Sequence, residues 1–226
     1  MEFDEELIDY VFSRQRAVEY FTNRVKDFNH RGEYYRIKKS MDNFLEDKYI
    51  DDRFLIMPGL RGVGKTTILY QVYNYLVGEK NVDSRNILYI SMDQVKNYFD
   101  IGILEIVDTF LEFRHQSRRY DLNKKIFLFI DECHFDKNWA LGGKILYDNS
   151  EKIFLIFTGS SALNLELNPD VSRRSFKEKL FPNNFRDHLL LKYDIDVDCK
   201  FSKALGNIIY CGDEKYIEKG IELEIA

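Results

Sequence analysis

Gly59-Leu60-Arg61-Gly62-Val63-Gly64-Lys65-Thr66 fits the pattern G-x-x-x-x-G-K-[ST] throughout, and those residue types at that spacing can hold a polyphosphate. Gly59, Gly62 and Gly64 let the backbone turn so that its N–H groups, that of Val63 included, converge on an anion. A helix following the loop adds the positive end of its dipole. Lys65 is expected to reach the β- and γ-phosphates as a point charge and the Thr66 hydroxyl to ligate Mg²⁺. Thr67 would support the loop or the α-phosphate. Arg61 lies inside the loop but is not demanded by the pattern; it either shields the phosphates or faces solvent.

About 65 residues after the loop, the apolar run Ile126–Ile130 ends in Asp131-Glu132. Two carboxylates at the carboxyl end of a buried strand lie at the edge where open α/β sheets bind ligands. Asp131 is expected to hold Mg²⁺, directly or through water, and Glu132 to polarise the attacking water as general base. An adjacent glutamate argues for hydrolysis as well as binding. His134 either relays polarity from the pair or is an ordinary loop histidine. A further apolar run, Ile153–Phe157, ends in Thr158-Gly159-Ser160-Ser161. If that strand lies beside the other two, Thr158 points at the γ-phosphate or its water.

These residues need a sheet and helices to bring them together. From Arg53 onward short apolar runs alternate with helical stripes, which predicts an α/β three-layer sandwich with a mainly parallel sheet of about five strands. The predicted strands are Phe54–Met57, Ile87–Ser91, Ile126–Ile130 and Ile153–Phe157, with Phe176–Phe181 a poorly alternating fifth. Ile68, Leu69, Val72 and Leu76, ending near Gly78, form one crossover stripe; Ile103, Leu104, Val107, Phe110 and Leu111 form another. The distance from Lys65 to Asp131 leaves room for another strand between the loop strand and the acidic strand. Residues 1–50 read as an N-terminal helical segment, 51–192 as the nucleotide-binding core and 193–226 as the start of a small helical lid. In the first segment Val18, Phe21, Val25 and Phe28 share one helical face, and Tyr34, Tyr35, Ile37, Met41, Phe44 and Leu45 continue the pattern. This unit either covers the nucleotide base or simply packs into the core.

Composition narrows the classes. A formal charge of −5 provides no global basic field for nucleic acid. Local patches at Arg14/Arg16, Arg31–Lys39 and Arg114–Arg119 with His115 read as solvated faces or as local nucleic-acid contacts. The longest apolar runs are five residues, far short of the roughly 20 that span a bilayer. The acidic N-terminus lacks the basic start of a signal peptide, which points to the cytoplasm. Cys133, Cys199 and Cys211 are widely spaced and read as structural thiols, and the four histidines show no metal-ligand spacing.

Taken together, Gly59–Thr67, Phe129-Ile130-Asp131-Glu132-Cys133-His134 with Trp139 downstream, and Phe157–Ser161 resemble the archaeal-type AAA+ ATPases of prokaryotes over about residues 52–191. In that family an arginine follows the polar strand, then Pro-Leu-Ser-Phe-Arg-Glu. Here Arg173 and Arg174 precede Pro182-Asn183-Asn184-Phe185-Arg186-Asp187. The resemblance implies binding of ATP or ADP with Mg²⁺, hydrolysis by Glu132, sensing by Thr158, and an arginine contact in cis or trans from Arg173 or Arg174. A trans contact implies a homo-oligomer. Family members usually continue into a further C-terminal domain, so this chain is either naturally short or part of a longer one.

Three functions remain at this point. The first is ATP hydrolysis. The second is a slow nucleotide-dependent switch that reports to a protein or DNA partner. The third, a small-molecule kinase, needs an acceptor pocket and a basic lid, for which the sequence offers no clear pattern.

Overall fold

Strands β1 (Phe54–Pro58), β2 (Ile87–Ser91), β3 (Ile126–Asp131) and β4 (Ile153–Gly159) are buried along their whole lengths. Such strands belong to a sheet covered by helices on both faces. The computed structural model describes residues 5–48, 51–159 and 169–194. It pairs these strands in parallel in the order β2-β3-β4-β1-β5, with β5 (Phe176–Lys177) at the edge. The expected five-stranded parallel sheet is therefore present, and a strand does separate the loop strand from the acidic one. That strand is β4, which comes later in the chain.

Alternation assigns each side chain to a face. Phe54, Ile56, Leu88, Ile90, Leu128, Ile130, Leu155 and Phe157 join one apolar cluster with α4 (Met92–Tyr98), α5 (Ile103–His115) and α6 (Trp139–Asn149). Leu55, Met57, Ile87, Tyr89, Phe127, Phe129, Phe154 and Ile156 join the other, with α2 (Gly32–Leu45) and α3 (Lys65–Asn74), which a π-helical turn extends through Tyr75–Glu79. Ile90, Ile130, Phe157 and Ile56 are register partners across the sheet. One residue further along their strands stand Ser91, Asp131, Thr158 and Met57. On β2, β3 and β4 the apolar row thus gives way to a polar residue at the carboxyl end, while β1 continues with Met57.

Helix α1 (Glu5–Asn23) packs against β2, α3 and α5. It contributes Leu7 and Val11 to the first cluster and Val18 to the second. The predicted N-terminal stripe ends at Val25, since Phe28 is 53% exposed; in α2, Tyr35 turns outward at 58% while Tyr34, Ile37, Met41 and Phe44 are buried. The fifth strand is shorter than expected, although Glu178 N–H and Leu180 N–H still donate to the Ile56 and Pro58 carbonyls.

The described residues up to Asp27 and from Gly32 to Pro182 form one compact unit; Phe28–Arg31 and those from Asn183 form a second. Residues 1–50, expected as one helical segment, are therefore shared between the two. A short helix α7 (Pro169–Ser172) belongs to the first unit and α8 (Phe185–Tyr193) to the second. Asn184 caps α8: its Oδ1 accepts from Asp187 N–H at 2.9 Å, and Asp187 Oδ2 accepts from Asn184 N–H at 3.0 Å. This reciprocal capping box explains why Asn184 and Asp187 can stand where the resembling family has serine and glutamate. Ser160, Ser161, Cys199, Cys211 and the expected lid beyond Asp194 lie outside the described residues.

Gly143 lets α6 approach the sheet. A Cβ there would meet Phe54 Cζ at 2.6 Å and Phe157 Cε2 at 3.1 Å, and both rings are fully buried. Overpacking of this kind costs about 1–3 kcal/mol, against the ~1 kcal/mol that alanine gains over glycine in a helix. Gly143→Ala is expected to lower stability by up to a net ~2 kcal/mol in urea unfolding.

Candidate functional site

The loop from Gly59 to Gly64 joins the end of β1 to the start of α3. Gly62 and Gly64 take φ of 85° and 96°, the left-handed region in which an L side chain costs roughly 1–2 kcal/mol. The first N–H groups of α3 have no intrahelical acceptor. Around this helix start Arg61, Gly62, Gly64, Lys65, Thr66 and Thr67 line a cavity of about 480 Å³. Gly59 and Val63 do not line it. A Cβ on Gly59 would meet the Leu180 carbonyl oxygen at 2.8 Å, and Val63 packs against the second apolar cluster.

Lys65 is buried. Its ammonium donates to the carbonyls of Gly59 and Leu60, each at 3.0 Å, and lies 3.9 Å from Glu132 Oε1. Two of its three protons thus bind the loop itself, and the charge sits beside the carboxylate expected to act as base.

Asp131 is buried at the end of β3. Its Oδ2 accepts from the Thr66 hydroxyl at 2.7 Å and from the Tyr89 hydroxyl at 3.1 Å, and its Oδ1 accepts from the Thr158 hydroxyl. Burial, with Asp131 alongside, pushes the Tyr89 phenol well above its ordinary pKa, so it remains a donor. Three neutral hydroxyls hold this carboxylate, and no basic side chain pairs with it among the described residues. A buried carboxylate in that state suits a cation. Because Thr66 donates its proton to Asp131, its lone pairs are free for a metal. No group of three or more His, Cys, Asp or Glu side chains that could hold a metal occurs among the described residues. Mg²⁺ needs none, since it keeps waters and takes one or two protein oxygens plus phosphates. The donor set fits it.

Glu132 follows in the left-handed conformation, φ 50° and ψ 42°. Its N–H donates to Thr158 Oγ1 at 3.2 Å and to Asp131 Oδ1 at 3.1 Å, which fixes the turn. The side chain lines the cavity, with His134 Nδ1 3.4 Å from Oε2. Cys133 is fully buried, and burial pushes its thiol well up, leaving it neutral.

The family model described as AAA domain matches residues 51–189, more than half of the 226 residues. The chain belongs to the AAA domain family. Among curated relatives, the uncharacterized protein MJ1637 of Methanocaldococcus jannaschii is 31% identical over 205 residues, covering 89% of this chain and 41% of the relative. MJ1544 of the same organism is 24% identical over 158 residues, covering 68% and 32%. The chain thus spans about two fifths or less of the length of these relatives. Solved structures similar to it include Caenorhabditis elegans PCH-2, at TM-score 0.47 and 12% identity, covering 79% of this chain and 46% of that one. Another is the Walker-type ATPase PABY2304 of Pyrococcus abyssi, at 0.37 and 13%, covering 85% and 71%.

Two expectations for this AAA domain change with the geometry. Thr158 does not face the cavity: it is fully buried, and its hydroxyl joins Asp131 to the Glu132 backbone. The sheet turns the residue after Phe157 away from the apolar face that Phe157 occupies, towards the neighbouring carboxylate. Thr158→Val would keep the shape but remove this link from a buried carboxylate, so it is expected to cost about 1–3 kcal/mol in unfolding free energy. Unchanged stability would mean the hydroxyl does not hold Asp131.

Arg174 is the second change. It precedes β5, whose Phe176 registers with Leu55 near the start of β1, whereas the loop follows the end of β1. The two lie at opposite edges of the sheet, separated by roughly 3.3 Å per strand residue, and Arg174 Nε donates to Asp148 Oδ1 at 2.7 Å. It does not reach the loop of its own chain. Arg173, also expected to contact nucleotide in cis or trans, stands next to it before β5.

Residues outside the three motifs also line the cavity: Arg14 and Phe21 of α1, Tyr70 of α3, and Tyr89, Ser91, Asp93 and Gln94 in and after β2. A tyrosine and a serine closing an otherwise aliphatic strand are the signal for the β2 pair. Phe21 stacks on Tyr70 with ring centroids 5.9 Å apart, so the N-terminal helix does border the site.

Proposed function

We propose that the chain binds ATP with Mg²⁺ and hydrolyses it to ADP and phosphate. The observation that carries this reading is the junction at the carboxyl edge of the sheet: Thr66 hydrogen-bonded to Asp131, with Lys65 and Glu132 beside them in one cavity. In this reading the loop N–H groups and Lys65 hold the polyphosphate, Lys65 exchanging loop carbonyls for phosphate oxygens. Thr66 and Asp131 hold Mg²⁺, which supplies neutralisation of the phosphate charge. Glu132 accepts a proton from water as the water oxygen bonds to the γ-phosphorus and the bond to the ADP oxygen breaks. Thr158 acts as a positioning residue, setting both carboxylates from behind.

A second reading, a slow switch whose turnover waits on a partner, is favoured by the place of Arg174. An arginine at the far edge of the sheet serves a neighbouring subunit or none. Phosphate release measured with ATP, with and without Mg²⁺, over a range of protein concentrations tests both. Mg²⁺-dependent release supports hydrolysis, and a specific rate that climbs with concentration supports an arginine supplied by a second copy. Release that ignores Mg²⁺, or none at any concentration, contradicts the hydrolytic reading.

A further inference from the structure

Helix α1 carries a charged residue where its neighbours are apolar. Leu7, Val11, Arg14, Val18 and Phe21 recur at alternating steps of four and three, so they share one face of the helix. Leu7, Val11 and Val18 are buried. Leu7 and Val11 belong to the core on one side of the sheet and Val18 to the core on the other. Arg14 stands between them, where the helix passes from one core to the other, and lines the cavity with Lys65, Thr66, Asp131 and Glu132.

Among the described residues no acidic side chain pairs with it. Arg14 Nε is buried without an acceptor, and its guanidinium makes no ion pair among the described residues. The Tyr10 ring lies under it with Cζ 5.9 Å from the centroid, a cation–π contact at its outer limit that supplies no counter-charge. The cavity's carboxylates already have partners: Asp131 accepts three hydroxyls, Asp93 accepts from Ser91 and Gln94 N–H, and Glu132 sits by Lys65 and His134. A guanidinium stays charged at any physiological pH, and leaving it half-buried without a counter-charge is costly. Its planar fork matches phosphate oxygens in pairs.

We propose that Arg14 is the in-chain arginine of this site, contacting the polyphosphate of the nucleotide held by the loop. The proposal rests on the nucleotide reading above. It assigns the contact to a helix that precedes the matched AAA domain.

The test uses the full chain with Arg14→Met, Arg14→Gln, Arg14→Lys and Lys65→Ala, measuring ATP affinity by calorimetry and the ligand-free melting temperature. Arg14→Met removes an uncompensated charge from an apolar stripe, so the ligand-free chain is expected to melt at the same temperature or higher. ATP is expected to bind about 10–100-fold more weakly, as for loss of one charge-assisted pair. Arg14→Lys should recover part of that loss, and Arg14→Gln should weaken ATP as Met does. A purely structural arginine gives the opposite pattern, a lower ligand-free melting temperature with ATP affinity unchanged, and overturns the proposal. Failure of both Arg14→Met and Arg14→Gln to fold also overturns it. If the wild-type chain binds ATP, Lys65→Ala does not and Arg14→Met binds as wild type, only the Arg14 assignment falls. If the wild-type chain binds no ATP, the reading of the loop falls with it.

Discussion

Glu132→Gln is expected to lower ATP turnover by about 10²–10³-fold while leaving ATP affinity within a few-fold of wild type. The amide keeps the size of the side chain but cannot take a proton from water. The backbone N–H that fixes the Glu132 turn, donating to Thr158 and Asp131, is untouched by the change. The 3.9 Å ion pair with Lys65 is removed, which frees the lysine for phosphate, so any change in affinity should be towards tighter binding. A fall in turnover with affinity kept marks Glu132 as acting in the transition state. Equal loss of both would make it a binding residue instead. The measurement is phosphate release at saturating ATP, paired with a binding titration on the same preparation.

Lys65→Ala is expected to weaken ATP by about 100-fold or more, about 2.8 kcal/mol. Two effects combine. The polyphosphate loses its closest point charge, and the Gly59 and Leu60 carbonyls lose their shared donor. Released carbonyls loosen the loop that must present its N–H groups, so the ligand-free chain should also melt slightly lower. ATP should then give little or no rise in melting temperature, whereas the wild-type chain should show one that grows with ATP concentration. A full ATP-induced rise in Lys65→Ala would show that the cavity binds its ligand without the lysine.

The two differ in a way that separates their roles. Lys65 is buried and bonded to the loop, so its loss is expected to act on binding; Glu132 reaches the cavity from a turn held by its own backbone, so its loss is expected to act on turnover.

Much of this arrangement was legible in the residues. Uninterrupted apolar runs mark strands covered on both faces, and the parallel sheet built from Phe54, Ile87, Ile126 and Ile153 onward follows from that. The loop was legible because Gly62 and Gly64 occupy backbone conformations that other residues avoid. Strand order was only partly legible, since local pattern carries no information on which strand β4 inserts between. The direction of Thr158 was lost for a related reason: a hydroxyl at a strand end can face ligand or neighbour, and the neighbour is known only once β3 lies alongside. The edge on which Arg174 sits depends on the register of β5, a strand of two residues with little pattern of its own. Arg14 did carry a signal, a cation at a stripe position between Val11 and Val18. It has meaning only when that stripe is followed back from Val18 towards Leu7.

The most direct test of the account is the nucleotide found on the protein after it is mixed with ATP and Mg²⁺, freed of excess nucleotide and denatured for chromatography. Wild type is predicted to yield ADP, and Glu132→Gln to yield ATP. ATP on both, or no nucleotide on either, would contradict the claim that this cavity binds ATP and that Glu132 drives its hydrolysis.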